Sequence, residues 1–300
     1  MQLQPEITDL SPGDATPILE LLFNDGRNVY VMLDSALQTN ISERLEDHEQ
    51  EASCLIPSSE GDTATALPWI IRIKRQDPLV AELFSDKMPS GLWSIDPGIF
   101  FLTNRNLADL TRHLRKFHRP RVVDTQSSLF LRYWEPGLLG QMLKAGIPHT
   151  QGIIAPDLSV VCRVGSDVYR FDTIEEARDR PGHLTQDHVR QIGRMLTIRR
   201  RANLSDKIIE TFPDQVSHLK RSAVEREVQD AWMAANDFGL HNGKIRAKFI
   251  ITAVALAPGF HRETIIEQLF MNSSDPDQTF RDYEAVMKRQ FPTIARKETG

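Results

Sequence analysis

The chain has 300 residues, 40% of them hydrophobic and 26% charged, which is enough apolar material for one or two sizeable cores and excludes disorder along the whole length. Lys and Arg number 36 against 41 Asp and Glu, for a net charge of -5. A protein whose main work is gripping nucleic acid is usually basic, so that class starts at a disadvantage.

The first residues, MQLQPEITDLSPGDATP, lack the positive start and apolar stretch of a signal peptide, and residues 1–27 read as an N-terminal extension. Strands are expected at NVYVML (Asn28 to Leu33), WIIRIK (Trp69 to Lys74), GIFFLT (Gly98 to Thr103) and LFLRYW (Leu129 to Trp134), because β-branched and aromatic residues suit a pleated, half-buried surface. Weak helical periods follow Asp34 (Ile41, Leu45), Pro78 (Leu79, Leu83, Phe84) and Pro136 (Leu138, Leu139, Met142, Leu143). The clearest period runs from Asn104 to His118, where Leu107, Leu110, Leu114 and Phe117 form one stripe, with Thr103 or Asn104 as cap and Pro120 beyond the end. Residues 50–67, rich in Ser, Glu, Thr and Ala, read as an exposed loop.

Two short alternating runs around Gly165-Ser166-Asp167 predict a hairpin over 158–172. After it, helices are expected at Ile174 to Ala177, Val189 to Ile198, Leu204 to Ile209, Val216 to Ala235, Ile245 to Leu256, Ile265 to Phe270 and Tyr283 to Phe291. The stretch from Phe249 to Leu256 is apolar nearly all round and should lie in the middle of its domain. The fold class is therefore α+β, with an α/β-like part over 28–180 built on a mixed sheet with flanking helices, and an all-α part over 181–300.

Chemistry-bearing patterns are sparse. Neither GxxxxGK[ST] nor GxGxxG follows a strand, GxSxG is absent, and no cofactor is expected. The pairs His113 with His118 and His183 with His188 are spaced i, i+5, which sets their rings about 140° apart around a helix and does not suit a metal. Cys54 and Cys162 stand alone, as in a reducing compartment, and no apolar run reaches membrane-spanning length, so a cytoplasmic protein with no membrane partner is expected. Asp34, directly after a strand, sits where active-site carboxylates often lie, though helix capping explains it as well.

Charge is segregated. Arg105, Arg112, Arg115, Lys116, Arg119 and Arg121 face only Asp109, giving residues 105–121 a net charge of +5. These cations form either a solvated face or a docking strip for an acidic partner surface. A second basic run, Arg199 to Arg201, lies at a helix end and is too short to carry a nucleic-acid function. Of the four tryptophans, Trp93 in the turn-rich SGLWSIDPG is the one placed to be a partly exposed anchor.

The order of the first-half segments resembles the domain of bacterial type VI secretion effector chaperones, long known only as a domain of unknown function. Leu33, Asp34, Ala36 and Leu37 match that family's first motif; Leu110, His113, Leu114, Arg115 and Phe117 match its helix; Arg132, Tyr133, Pro136, Leu138 and Leu139 match its last. The likeness covers about residues 28–145, with Glu135 where the family usually has Asp and Gly137 where it often has Arg. In the helical half, Gly239-Leu240 and Ala257-Pro258-Gly259-Phe260 are similar to the family's variable C-terminal part.

The resemblance implies an adaptor without catalysis that binds a cognate secreted effector, keeps it stable and hands it to a VgrG-type spike. On that reading the candidate partner-binding residues are Trp93, Arg112, Arg115, Lys116, Arg119, Arg132, Trp134 and Glu135, while Asp34, Leu114 and Pro136 are structural. Two alternatives stay open: a hydrolase using Asp34 or Glu135 with a histidine such as His113, and a nucleic-acid binder using the basic helix and Arg199 to Arg201.

Overall fold

A computed structural model describes residues 4–8, 10, 15–35, 51–56, 67–85, 92–93, 98–135, 137–155, 157–172 and 182–290. The chain divides into two compact units, Met1–Met195 and Leu196–Gly300.

The first unit is organised by β1 (Asn28–Asp34), of whose seven residues only Asn28 is not buried. A strand buried on both faces must be central, and β1 is flanked by β3 (Pro68–Ile73) and β4 (Ile99–Thr103). With β2 (Ala52–Cys54), β7 (Leu158–Val164) and β8 (Asp167–Phe171) the sheet runs β2-β3-β1-β4-β7-β8. An α+β first part and a helical second part are as the sequence predicts. Within the sheet each pairing is antiparallel, so the parallel pairs of a mixed sheet do not occur among the described strands. Strand–helix alternation alone could not distinguish the two, because it does not fix strand order.

Side chains alternate across β1. Val29, Val31 and Leu33 enter a core closed by α1 (Thr16–Phe23) and α2 (Pro78–Leu83) through Ile18, Leu22, Leu79 and Leu83. Leu10 and α1 thus belong to this core and do not form a separate appendage. Tyr30, Met32 and Asp34 point to the opposite face, where α3 (Leu107–Leu114) packs against β2 and β3, and α4 (Leu138–Lys144) against β7. Gly98 lies where β4 meets β1: at φ 98° an added Cβ would stand 2.5 Å from the Met32 carbonyl oxygen.

Three expectations are corrected. The loop expected over 50–67 contains β2, an edge strand whose short length hides its pattern. LFLRYW is not a strand of the sheet: only its first residues pair, in a separate ribbon with β5 (Arg121–Val122) and β6 (Ser127–Ser128), and Tyr133-Trp134 lie in a turn. The α3 cap is Asn106, which accepts from the Asp109 N–H at 2.9 Å, and not Thr103 or Asn104. The 158–172 hairpin forms as expected. The helices expected near Ile41 and at Ile174 to Ala177 lie outside the described residues.

The division between units falls inside the helix Gln186–Thr211, which joins two expected helices into one. The second unit continues with helices Pro213–Val216, Arg221–Asp237, Gly243–Ile251, Thr264–Met271 and Pro276–Gln290. Val224, Val228, Ala231 and Ala235 recur at helical spacing and bury one stripe of Arg221–Asp237. The core centres on Phe249, whose ring meets those of Phe238, Phe260, Phe270 and Phe280 at centroid distances of 6.0, 5.1, 5.8 and 5.5 Å. The apolar segment after Phe249 is thus central, as expected, and turns to π-helix over Thr252–Leu256.

Candidate functional site: the α3 surface and the ribbon after it

The distinctive residues of the first unit converge on α3 and its continuation, the 3₁₀ turn Arg115–Phe117. His113 is buried and its Nε2 donates to the Ile153 carbonyl at 2.9 Å. The Leu114 carbonyl, at the helix end where intrahelical donors run out, accepts from the buried Tyr133 hydroxyl at 2.9 Å. Arg115 turns inward, Nε donating to the Leu55 carbonyl at 2.6 Å and Nη2 to that of Cys54 at 3.0 Å, which satisfies acceptors beside the β2 edge. His149, fully buried, bridges the Phe117 and Gly182 carbonyls at 2.8 and 2.9 Å.

Asp34 and Arg132 meet on the same side of the sheet. Arg132 Nη2 donates to Asp34 Oδ2 at 2.6 Å, with the carboxylate side chain 2% exposed and the guanidinium side chain 44%. A buried carboxylate needs such a partner, because its desolvation is otherwise uncompensated. Burial pushes the Tyr133 phenol far above its ordinary range and raises the Cys54 thiol, so neither is poised for chemistry near neutrality.

Outside this set of bonds lies a shallow cleft of about 280 Å³ lined by Arg105, Asp109, Arg112, His113 and Lys116. Arg105 is fixed by Asp157, 2.7 Å from its Nη2. Burial opposes ionisation of Asp157, yet the hydrogen bonds and charge of Arg105 hold its carboxyl below the usual range. Arg112 pairs with Asp109 at 2.7 Å on the exposed helix face.

The segment after α3 forms a two-stranded ribbon. Arg121 pairs with Ser128 and Val122 with Ser127, and the same register continues through bonds from the Leu129 N–H to the Pro120 carbonyl (3.0 Å) and the Leu131 N–H to the His118 carbonyl (2.8 Å). That register sets Arg119 opposite Phe130. Alternation then sorts most of the ribbon: Pro120, Val122 and Leu131 are buried, while Arg119, Arg121, Ser128, Phe130 and Arg132 are exposed on the other face; on the inward parity Leu129 is half-buried and Ser127, next to the turn, is exposed. Phe130 is 50% exposed, and its ring stands edge-on to His118 at 6.1 Å and to Trp134 at 5.8 Å.

The two tryptophans proposed as anchors are not at the surface. Trp93 is buried, packed against Phe84 at 6.2 Å with the Arg163 guanidinium 4.6 Å above its ring, and it belongs to the first core. Trp134 is buried beneath Phe130. Arg115 is spent on backbone carbonyls and Arg132 partly on Asp34, whereas Arg112, Lys116 and Arg119 are exposed and Glu135 is half-buried in the turn before α4. Leu114 is fully buried; Ala36, Leu37 and Pro136 lie outside the described residues. Gly137, where the family often has Arg, has φ 68°, a conformation that favours glycine. Phe130 was missed, although Arg132 two residues on marks the outward parity it shares.

Residues 29–151 match the family model described as a domain of unknown function, DUF4123. The match begins at β1 and ends at Gln151, the last residue of the helix Pro148–Gln151, so it contains Asp34, His113, Leu114 and Arg115 with their partners Arg132, Tyr133, Leu55 and Cys54, while the Ile153 and Gly182 carbonyls lie beyond it. No curated protein and no solved structure matches the chain. Among the described residues no helix is long and apolar enough to cross a membrane, and no cluster of three or more His, Cys, Asp or Glu could hold a metal.

Proposed function

We propose that the chain is an adaptor-chaperone that binds a cognate type VI secretion effector, keeps it stable before export and presents it to a VgrG-type spike, without catalysis. The observation that carries this reading is a coincidence of boundaries: the effector-chaperone resemblance covers about residues 28–145, and the domain-of-unknown-function model matches residues 29–151. The side chains support it. The acid and base that a hydrolase would use, Asp34 and His113, each hold the fold together through Arg132 and the Ile153 carbonyl. Exposed cations and Phe130 are left as a recognition surface.

The test is co-expression with the secreted protein encoded beside this chain's gene. The expected result is stoichiometric co-elution and a larger soluble fraction of that protein. Failure to co-elute, with its solubility unchanged, overturns the reading. Asp34→Asn should impair folding stability before any turnover; a hydrolytic activity abolished in a fully folded Asp34→Asn protein would restore the enzyme reading.

A further inference from the structure

We infer that the outer face of the ribbon 118–132 is the docking surface for an acidic segment of the partner that carries an apolar side chain at its centre; this rests on the adaptor reading above.

The inference starts from Phe130. A half-exposed phenylalanine on an otherwise alternating ribbon is not required by the core, which Pro120, Val122 and Leu131 already fill from the other face. Its ring is nevertheless held in place, with His118 and Trp134 edge-on against it. A fixed aromatic loses little side-chain freedom on binding, which is what an anchor needs.

Its neighbours decide what it can bind. Arg119 stands directly opposite, and Arg121 and Arg132 follow at two-residue steps on the same face. No hydrogen bond or ion pair among the described residues engages Arg119. Arg121 bonds to the Gln126 side chain, and Arg132 bonds to Asp34 through Nη2 while 44% of its side chain stays exposed. Three arginines share the exposed face with Phe130, which sets positive charge beside an apolar centre on a chain whose net charge is -5. Carboxylates match the arginines through charge-assisted bonds, and an apolar side chain matches the centre by covering the ring face. Arginine and aromatic residues are also the types that carry most of the energy at protein interfaces.

The experiment uses the full chain with the secreted protein encoded beside its gene, measuring affinity for wild type, Phe130→Ala, Arg119→Glu, and the control Arg112→Ala/Lys116→Ala on the α3 cleft. Arg119→Glu alters a side chain without described partners, so it keeps the test decisive if Phe130→Ala loosens the packing on Trp134. Expected are binding at least about tenfold weaker for Phe130→Ala and for Arg119→Glu, unchanged circular dichroism, and a control within about twofold of wild type. If wild type binds and both ribbon variants bind equally well, the docking surface is wrong while the adaptor reading stands. If wild type does not bind, the adaptor reading falls, and this inference with it. Tight binding of a fluorescent single-stranded oligonucleotide by wild type, lost in the ribbon variants, would also overturn it, since the occupant would then be nucleic acid.

Discussion

The pair formed by Asp34 and Arg132 offers the sharpest test of how the first unit is held together. Its charges sit about 4 Å apart between centres, which at an effective dielectric of about 20 corresponds to roughly 4 kcal/mol of attraction. Two effects reduce that figure. The Asp34 side chain, 2% exposed, is taken out of water, and the Arg132 side chain, 44% exposed, is largely screened. The net coupling should therefore be about 1–2 kcal/mol. Arg132→Gln should cost more than Asp34→Asn, because it leaves a carboxylate buried without its cation. Unfolding in urea followed by tryptophan emission reads mainly the first unit, which holds Trp69, Trp93 and Trp134, while Trp232 lies in the second. A double-mutant cycle of Asp34→Asn and Arg132→Gln gives the coupling directly. Strict additivity, with a coupling under about 0.3 kcal/mol, would refute the view that this bond joins β1 to the segment before α4.

Other perturbations follow from the same contacts. Tyr133→Phe removes the hydroxyl that donates to the Leu114 carbonyl and should lower stability by about 1–2 kcal/mol in the same urea assay; in wild type this phenol should stay un-ionised at alkaline pH until unfolding, as read by absorbance near 295 nm. Gly98→Ala combines a positive φ with a Cβ 2.5 Å from the Met32 carbonyl oxygen and should cost about 3 kcal/mol or more, visible as lost soluble yield or a much lower melting temperature. In the second unit, hydrogen bonds from His261 and then Arg262 hold the Asp230 carboxyl below its usual range. A lowered carboxylate contributes stability that is present above its unfolded value near pH 4 and is lost as pH falls through the folded value. Asp230→Asn should accordingly flatten the acid limb of helix loss measured by circular dichroism, and an unchanged limb would show that these bonds contribute nothing.

How much of this was legible depended on whether a residue's role is local. The α3 stripe and the 158–172 hairpin could be read because periodicity and turn residues act over a few positions. β2 could not, because a three-residue edge strand has no period of its own and exists by pairing with β3. The roles of Arg115 and Arg132 were equally hidden. Arg115 counted as a surface cation in the charge of residues 105–121 and both as candidate partner-binding residues, yet one reaches 61 residues back to Cys54 and the other 98 back to Asp34. Trp93 misled for the reverse reason: turn-forming neighbours suggested exposure, yet its own ring packs on Phe84 in the first core.

The same distinction bears on what the family likeness can say about function. Of the residues that carry it, Asp34, His113, Leu114, Arg115, Arg132 and Tyr133 make the bonds that tie β1, β2, α3 and the Ile153 segment together. Replacing Asp34, His113, Arg115, Arg132 or Tyr133 leaves a polar group short of its partner, and shrinking Leu114 opens a gap in the core, costs that do not depend on what the protein binds. Arg119 and Phe130, facing out of the ribbon, are under no such constraint. A motif made of such bonds specifies the scaffold and says little about the partner, whereas side chains free of folding duties can change with each partner at small cost in stability. Recognition in such a protein should therefore be sought beside the motif, at outward-facing ribbon side chains such as Arg119 and Phe130.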